Sequence, residues 1–87
     1  MKLIPTIFNE KGFRFFFYSN EHLPKHIHVT GKGGEVKIEL DSLTLVYNFG
    51  VKKNDLKAIM EIAEKNRFFF IKSGTSFTNY EFNGSAY

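Results

Sequence analysis

The sequence predicts a small α+β domain, an antiparallel sheet of about five strands with one C-terminal amphipathic helix packed on one face. Three observations carry that reading. Up to Phe49 the segments are short, rich in β-branched and aromatic residues, and separated by glycines and Pro24. From Lys53 to about Phe70 the apolar residues change to helical spacing. The chain has 87 residues, 43% of them hydrophobic, with 11 Phe and 4 Tyr. That length supports one core, since independent domains usually need roughly 100 to 200 residues each, and residues 1–87 read as a single domain.

The five strands are expected over residues 6–9, 13–19, 27–30, 35–40 and 43–47. Glu10-Lys11-Gly12 and Gly31-Lys32-Gly33-Gly34 suit short hairpins, because glycine takes a positive φ without a Cβ clash. The second of these lacks the spacing of a phosphate-binding loop and no helix follows it, so it reads as a turn. The helix is expected over residues 53–70 with Leu56, Ile59, Met60, Ala63 and Phe70 on its apolar stripe and Ile62 at the margin. Asn54 or a residue just before it is the expected cap, and Glu61 with Lys65 forms a favourable i,i+4 pair. Such a helix must lie on a sheet to bury its stripe. Residues 73–87 alternate without a clear apolar side and read as an edge strand or a flexible tail.

Alternation along strands maps side chains to faces. Ile27 and Val29 point to the core, as do Val36, Ile38 and Leu40, which leaves His26, His28, Glu35, Lys37 and Glu39 on the opposite side. The second strand is apolar on both parities. Assigning Phe13, Phe15 and Phe17 to the core puts Arg14, Phe16 and Tyr18 beside the histidines and Lys37. That face, with His22 from the loop before Pro24, is the expected binding face: aromatic rings and cations together are how several RNA-binding sheets stack bases and follow phosphates. A buried alternative has Phe16 and Tyr18 packed under the C-terminal tail or a second subunit.

All three histidines fall within residues 22–28. Three uses compete for them. As surface or interface residues they need no chemistry. As a catalytic pair, His26 and His28 would exchange protons with a ribose hydroxyl and its leaving oxygen, with Arg14 or Lys37 holding the phosphate and Glu21 orienting, giving a metal-independent ribonuclease. As metal ligands, His22, His26 and His28 would make a three-histidine zinc hydrolase with one position for water; no HExxH pattern supports it, and neither metal nor cofactor is favoured. Lys52, Lys53 and Lys57 gather at the helix start, the electrostatically unfavourable end for cations.

Composition narrows the partners. With 12 Lys+Arg against 9 Asp+Glu the net charge is +3, a mild bias toward acidic partners. Cysteine is absent, which excludes disulfides, thiolate metal sites and a cysteine nucleophile. The start MKLIPTIFNEKG lacks a signal-peptide core, and no run approaches the ~20 apolar residues that cross a bilayer. A cytoplasmic protein with no membrane partner is expected, and a domain this small gains from forming a homodimer.

The run GFRFFFYSNEHLPKHIHV, then GGEVKIELDSLTLVYN and DLKAIMEIAEKNR, resembles domain-of-unknown-function family 4160, a group of short bacterial proteins, over about residues 5–67. Positions matching Arg14, Glu21, His22, Pro24, His26 and His28 belong to the family pattern. The resemblance implies a stand-alone cytoplasmic protein encoded beside another short protein in loci like toxin–antitoxin or mobile-element modules. It implies no activity. After Arg67 the chain departs from relatives, whose helix continues to a Trp-containing polar end; here Phe68-Phe69-Phe70-Ile71 leads to Gly74 and a Ser/Thr/Asn-rich tail. The expectation is therefore a binding protein of such a locus, acting on a protein partner or RNA, rather than an enzyme.

Overall fold

The computed structural model describes residues 8–17 and 26–73. Five strands form one antiparallel sheet in sequence order: β1 (Phe8–Glu10), β2 (Phe13–Phe16), β3 (His26–Gly31), β4 (Gly34–Glu39) and β5 (Thr44–Phe49). The helix α1 (Lys53–Lys65) follows, then a second helical segment, α2 (67–73). The chain is an α+β domain as its alternation predicts.

Both glycine-bearing connections are two-residue hairpin turns. Lys11 and Gly12 lie at φ 55 and 84, Lys32 and Gly33 at φ 50 and 80, between the closing pairs Glu10↔Phe13 and Gly31↔Gly34. Two successive positive φ values define the turn whose twist matches the flanking strands. Between β5 and α1, Gly50 takes φ 82 while the Asn48 amide brackets the bend, donating to the Val51 carbonyl at 2.9 Å and accepting the Val51 N–H at 3.0 Å.

The inner face of the sheet carries the core. Phe13, Phe15, Ile27, Val29, Val36, Ile38 and Leu40 are all buried there, with Phe17 just past the end of β2. α1 presents Ile59, Ile62 and Ala63 to that cluster. Burial at roughly 25 cal/mol per Å² of apolar surface is the main force holding helix to sheet.

The helical region differs from its sequence reading in three ways. It is two pieces, not one: Asn66 leaves helical geometry at φ −108 and ψ 17 and caps α1, while its N–H keeps the helical bond to the Ile62 carbonyl at 3.0 Å and its side-chain amide donates to the same oxygen at 2.9 Å. Phe70, expected on the apolar stripe, is buried from α2, where it stacks on Phe15 at 5.2 Å and meets Phe8 edge-on at 5.4 Å. Second, the stripe is rotated: Ile62, placed at its margin, is buried, whereas Leu56 and Met60 are only partly covered. Third, the N-cap is Lys52 and makes no side-chain cap bond, so Asn54 sits inside the first turn. Arg67 then ties α2 to the sheet, Nε donating to the Leu40 carbonyl at 2.7 Å and Nη2 to that of Asp41 at 2.8 Å.

Strand β5 holds the one irregularity of the sheet. Lys37 faces Tyr47 but Ile38 faces Leu45, so Val46 is an extra residue bulged from the strand. The bulge inverts parity: Leu45 lies on the inner face and Tyr47, two residues later, on the outer. No helix among the described residues is long and apolar enough to cross a membrane. The tail from residue 74, read as an edge strand or flexible end, lies outside the described residues; Ser73 closes α2.

Candidate functional site

The strand register assembles the outer face in rungs. Arg14 pairs with Thr30, Thr30 with Glu35, and Glu35 with Phe49. On the next rung Phe16 pairs with His28, His28 with Lys37, and Lys37 with Tyr47. His26 pairs with Glu39 and Glu39 with Thr44 one rung further on. Arg14, Phe16, His26, His28 and Lys37 therefore share one side of the sheet, as alternation requires. Tyr18, Glu21 and His22 lie outside the described residues.

Phe16 and His28 are on the expected face, but they are not surface. Phe16 is 3% exposed and His28 5%, and the two rings stack at 5.6 Å with 20° between their planes. Neither belongs to the inner core cluster. The aromatic ring best placed to receive a base is thus already covered, and the imidazole beside it is a buried group.

His28 is held in a polar constellation that the sequence reading left unassembled. Its Nδ1 lies 3.6 Å from Oε2 of Glu35, and the same oxygen accepts a 2.7 Å hydrogen bond from the Tyr47 hydroxyl. The His28–Glu35 distance exceeds hydrogen-bond length, so that contact is electrostatic and present when the imidazole is protonated. Glu35 was placed on this face by parity. Tyr47 escaped because the bulge at Val46 moves it across the sheet, and no residue type in the segment marks a bulge. Beyond Tyr47, the Phe49 ring packs on it at 4.8 Å yet remains 69% exposed.

These positions bear on the chemistry. His26 and His28 are two residues apart on β3, while Arg14 stands opposite Thr30, four residues from His26. At about 3.3 Å per residue that is about 13 Å along the strand, whereas a reacting centre needs contacts of roughly 3 Å from each group. His28 lies one rung from Arg14 and directly opposite Lys37, and Lys37 is in turn one rung from His26, so both imidazoles share Lys37 while only His28 is near Arg14. Among the described residues no three His, Asp or Glu side chains form a metal-sized cluster. The Gly31-to-Gly34 segment is the hairpin turn described above.

The face is also mixed in charge: Arg14 and Lys37 alternate with Glu35 and Glu39 across it. Comparison with known proteins agrees with the fold's distinctive stretch. A family model described as "Domain of unknown function (DUF4160)" matches residues 12–73, from the β1–β2 turn to the end of α2. The chain belongs to that family. The family match spans every paired residue of β2–β5 and both helical segments, so the outer face and the helical face both lie within it. Searches of curated proteins and of solved structures return no match.

Proposed function

We propose that this chain is a small cytoplasmic interaction protein of a bacterial toxin–antitoxin-like or mobile-element locus, and that it holds a protein partner on its outer sheet face and the adjoining edge of β5. The type of locus rests on the family resemblance. The choice of protein over RNA rests on one observation: Phe16, the ring a base would stack on, is buried, while Phe49 is exposed on β5, the edge strand of the sheet.

Chemistry supports that choice. Stacking platforms for single-stranded nucleic acid need open aromatic faces in a cationic groove, and Glu35 and Glu39 set negative charge among the cations here. An edge strand with a solvent-exposed aromatic fits strand addition by a partner polypeptide, in which main-chain hydrogen bonds supply affinity and side chains such as Phe49 supply specificity. β5 carries no charged residue to discourage such pairing, and its bulge at Val46, which blunts the edge locally, leaves Tyr47 to Phe49 as the stretch a partner strand would meet.

Co-expression with the product of the neighbouring reading frame tests the proposal. A stable complex that survives nuclease treatment and is lost on Phe49→Glu supports it. Recovery of RNA in place of protein overturns it. Growth arrest relieved by His28→Ala also overturns it, in favour of a ribonuclease using His26 and His28.

A further inference from the structure

Helix α1 is charged in the sense opposite to its own dipole. Lys53 and Lys57 occupy its first half and Glu61 and Glu64 its second, all four exposed. The N-terminal end of a helix is partially positive and its C-terminal end partially negative, so these four charges are unfavourable in isolation. Spacing along the helix offers them one favourable partner, Lys65 four residues after Glu61, and no ion pair between those two is present among the described residues. Lys53 and Lys57 are a like-charged i,i+4 pair, Glu61 and Glu64 a like-charged i,i+3 pair, and Lys57 precedes Glu61 in the less favourable order. Among the described residues none of the four forms an ion pair. Asp55 and Lys65 do suit the dipole, but Asp55 is taken by Lys32, whose Nζ lies 3.2 Å from Oδ1.

Between these two charged ends runs a groove of about 780 Å³ whose floor is Leu43, Leu56 and Met60. It exists because the buried stripe of α1 is rotated toward Ile62, leaving Leu56 and Met60 half-covered. Leu43, at φ 55, completes the floor from the β4–β5 turn.

We infer that this groove is a self-association surface, in which α1 of a second copy of the chain lies antiparallel across α1 of the first. A two-fold axis near Leu56 and Met60 sets Lys53 of each copy against Glu64 of the other, and Lys57 beside Glu61. The two helix dipoles then oppose, and the apolar floors close on each other. The surface is its own complement, as a two-fold interface requires. A parallel arrangement would set Lys against Lys. A uniformly acidic partner or an anionic surface would meet Glu61 and Glu64. A helix of 13 residues is about 20 Å long, so the contact falls below the standard interface size and a weak, reversible dimer is expected, with Kd in the range of about 5 to 500 µM.

Sedimentation equilibrium on the whole chain at low salt, from about 5 to 500 µM to bracket that Kd, gives the test. The wild type is expected to show a reversible monomer–dimer equilibrium that weakens as salt rises. Lys53→Glu with Lys57→Glu, and separately Glu61→Lys with Glu64→Lys, should each raise Kd at least about tenfold. Mixing the two variants should restore dimerisation as a heterodimer, and reversing all four charges in one chain should restore the homodimer. Circular dichroism checks that α1 persists in each variant. A wild type that stays monomeric, reversed variants that dimerise like the wild type, or a mixture that remains monomeric overturns the inference; association that only another protein produces would do so as well.

Discussion

The two faces of the sheet bury side chains by different means. On the inner face Phe13, Phe15, Ile27, Val29, Val36, Ile38 and Leu40 are covered by helix and need only shape. On the outer face Phe16 and His28 are nearly as buried, but their neighbours are a carboxylate, a phenol and cations held in register by β3, β4 and β5. Burial of area stabilises in proportion to what is removed from water, whereas a buried polar group must keep its partners to cost nothing. Inner-face changes should therefore be felt as lost volume and outer-face changes as lost geometry.

The largest effect is expected at Phe15, which is fully buried between Phe8 and Phe70. Phe15→Ala should cost about 3–5 kcal/mol in urea denaturation, most of the stability of a small domain. Phe16→Ala, one residue away on the other face and stacked on the His28 ring, should cost at least about 1 kcal/mol less, because Phe16 lies outside the core cluster into which Phe15 packs. Equal losses would mean that the outer face is a second core and would erase the distinction.

Arg67→Ala comes next. It removes two charge-assisted hydrogen bonds that fasten α2 to the carbonyls of Leu40 and Asp41, and a loss of about 1.5 kcal/mol is expected because the second bond is exposed. Arg67→Lys should recover less than half of it, since an ammonium cannot reproduce the guanidinium fork. Tyr47→Phe is smaller still. It takes one hydrogen bond from a Glu35 carboxylate that water also reaches, for about 1 kcal/mol, and the change should shift the His28 ring signals in NMR more than any inner-face resonance.

The inner face was legible in the sequence because alternation runs unbroken through β3 and β4, where parity alone assigns the residues; β2 is apolar on both parities, and its all-Phe set marks the side that is buried. The same rule found which side His26, His28 and Lys37 occupy. At β5 it assigned no face, and there Val46 bulges so that Tyr47 lies on the opposite side from Leu45. Alternation gives direction and not depth: the rule that large apolar patches are covered anticipates the burial of Phe16, whereas nothing in the sequence marks that of His28. In the helical region the period was right but the chain break was not visible: Asn66 falls inside an unbroken apolar period, and the end of α1 shows only in its backbone, which leaves helical geometry at φ −108 and ψ 17.

Phe49 gives the smallest effect on folding and the sharpest on function. It shares the outer face with Glu35 and packs against Tyr47, yet most of its ring meets solvent. Exchanging it for serine removes little buried area, and thermal unfolding should shift by no more than about 0.5 kcal/mol equivalent. If the exposed ring anchors a partner strand, the same exchange should weaken the complex at least about tenfold, because aromatic anchors carry a disproportionate share of interface energy. The two measurements separate the roles that the outer face combines. A destabilisation as large as that of Tyr47→Phe would make Phe49 part of the polar constellation, whereas unchanged stability with lost binding would make it the point where that face meets its partner.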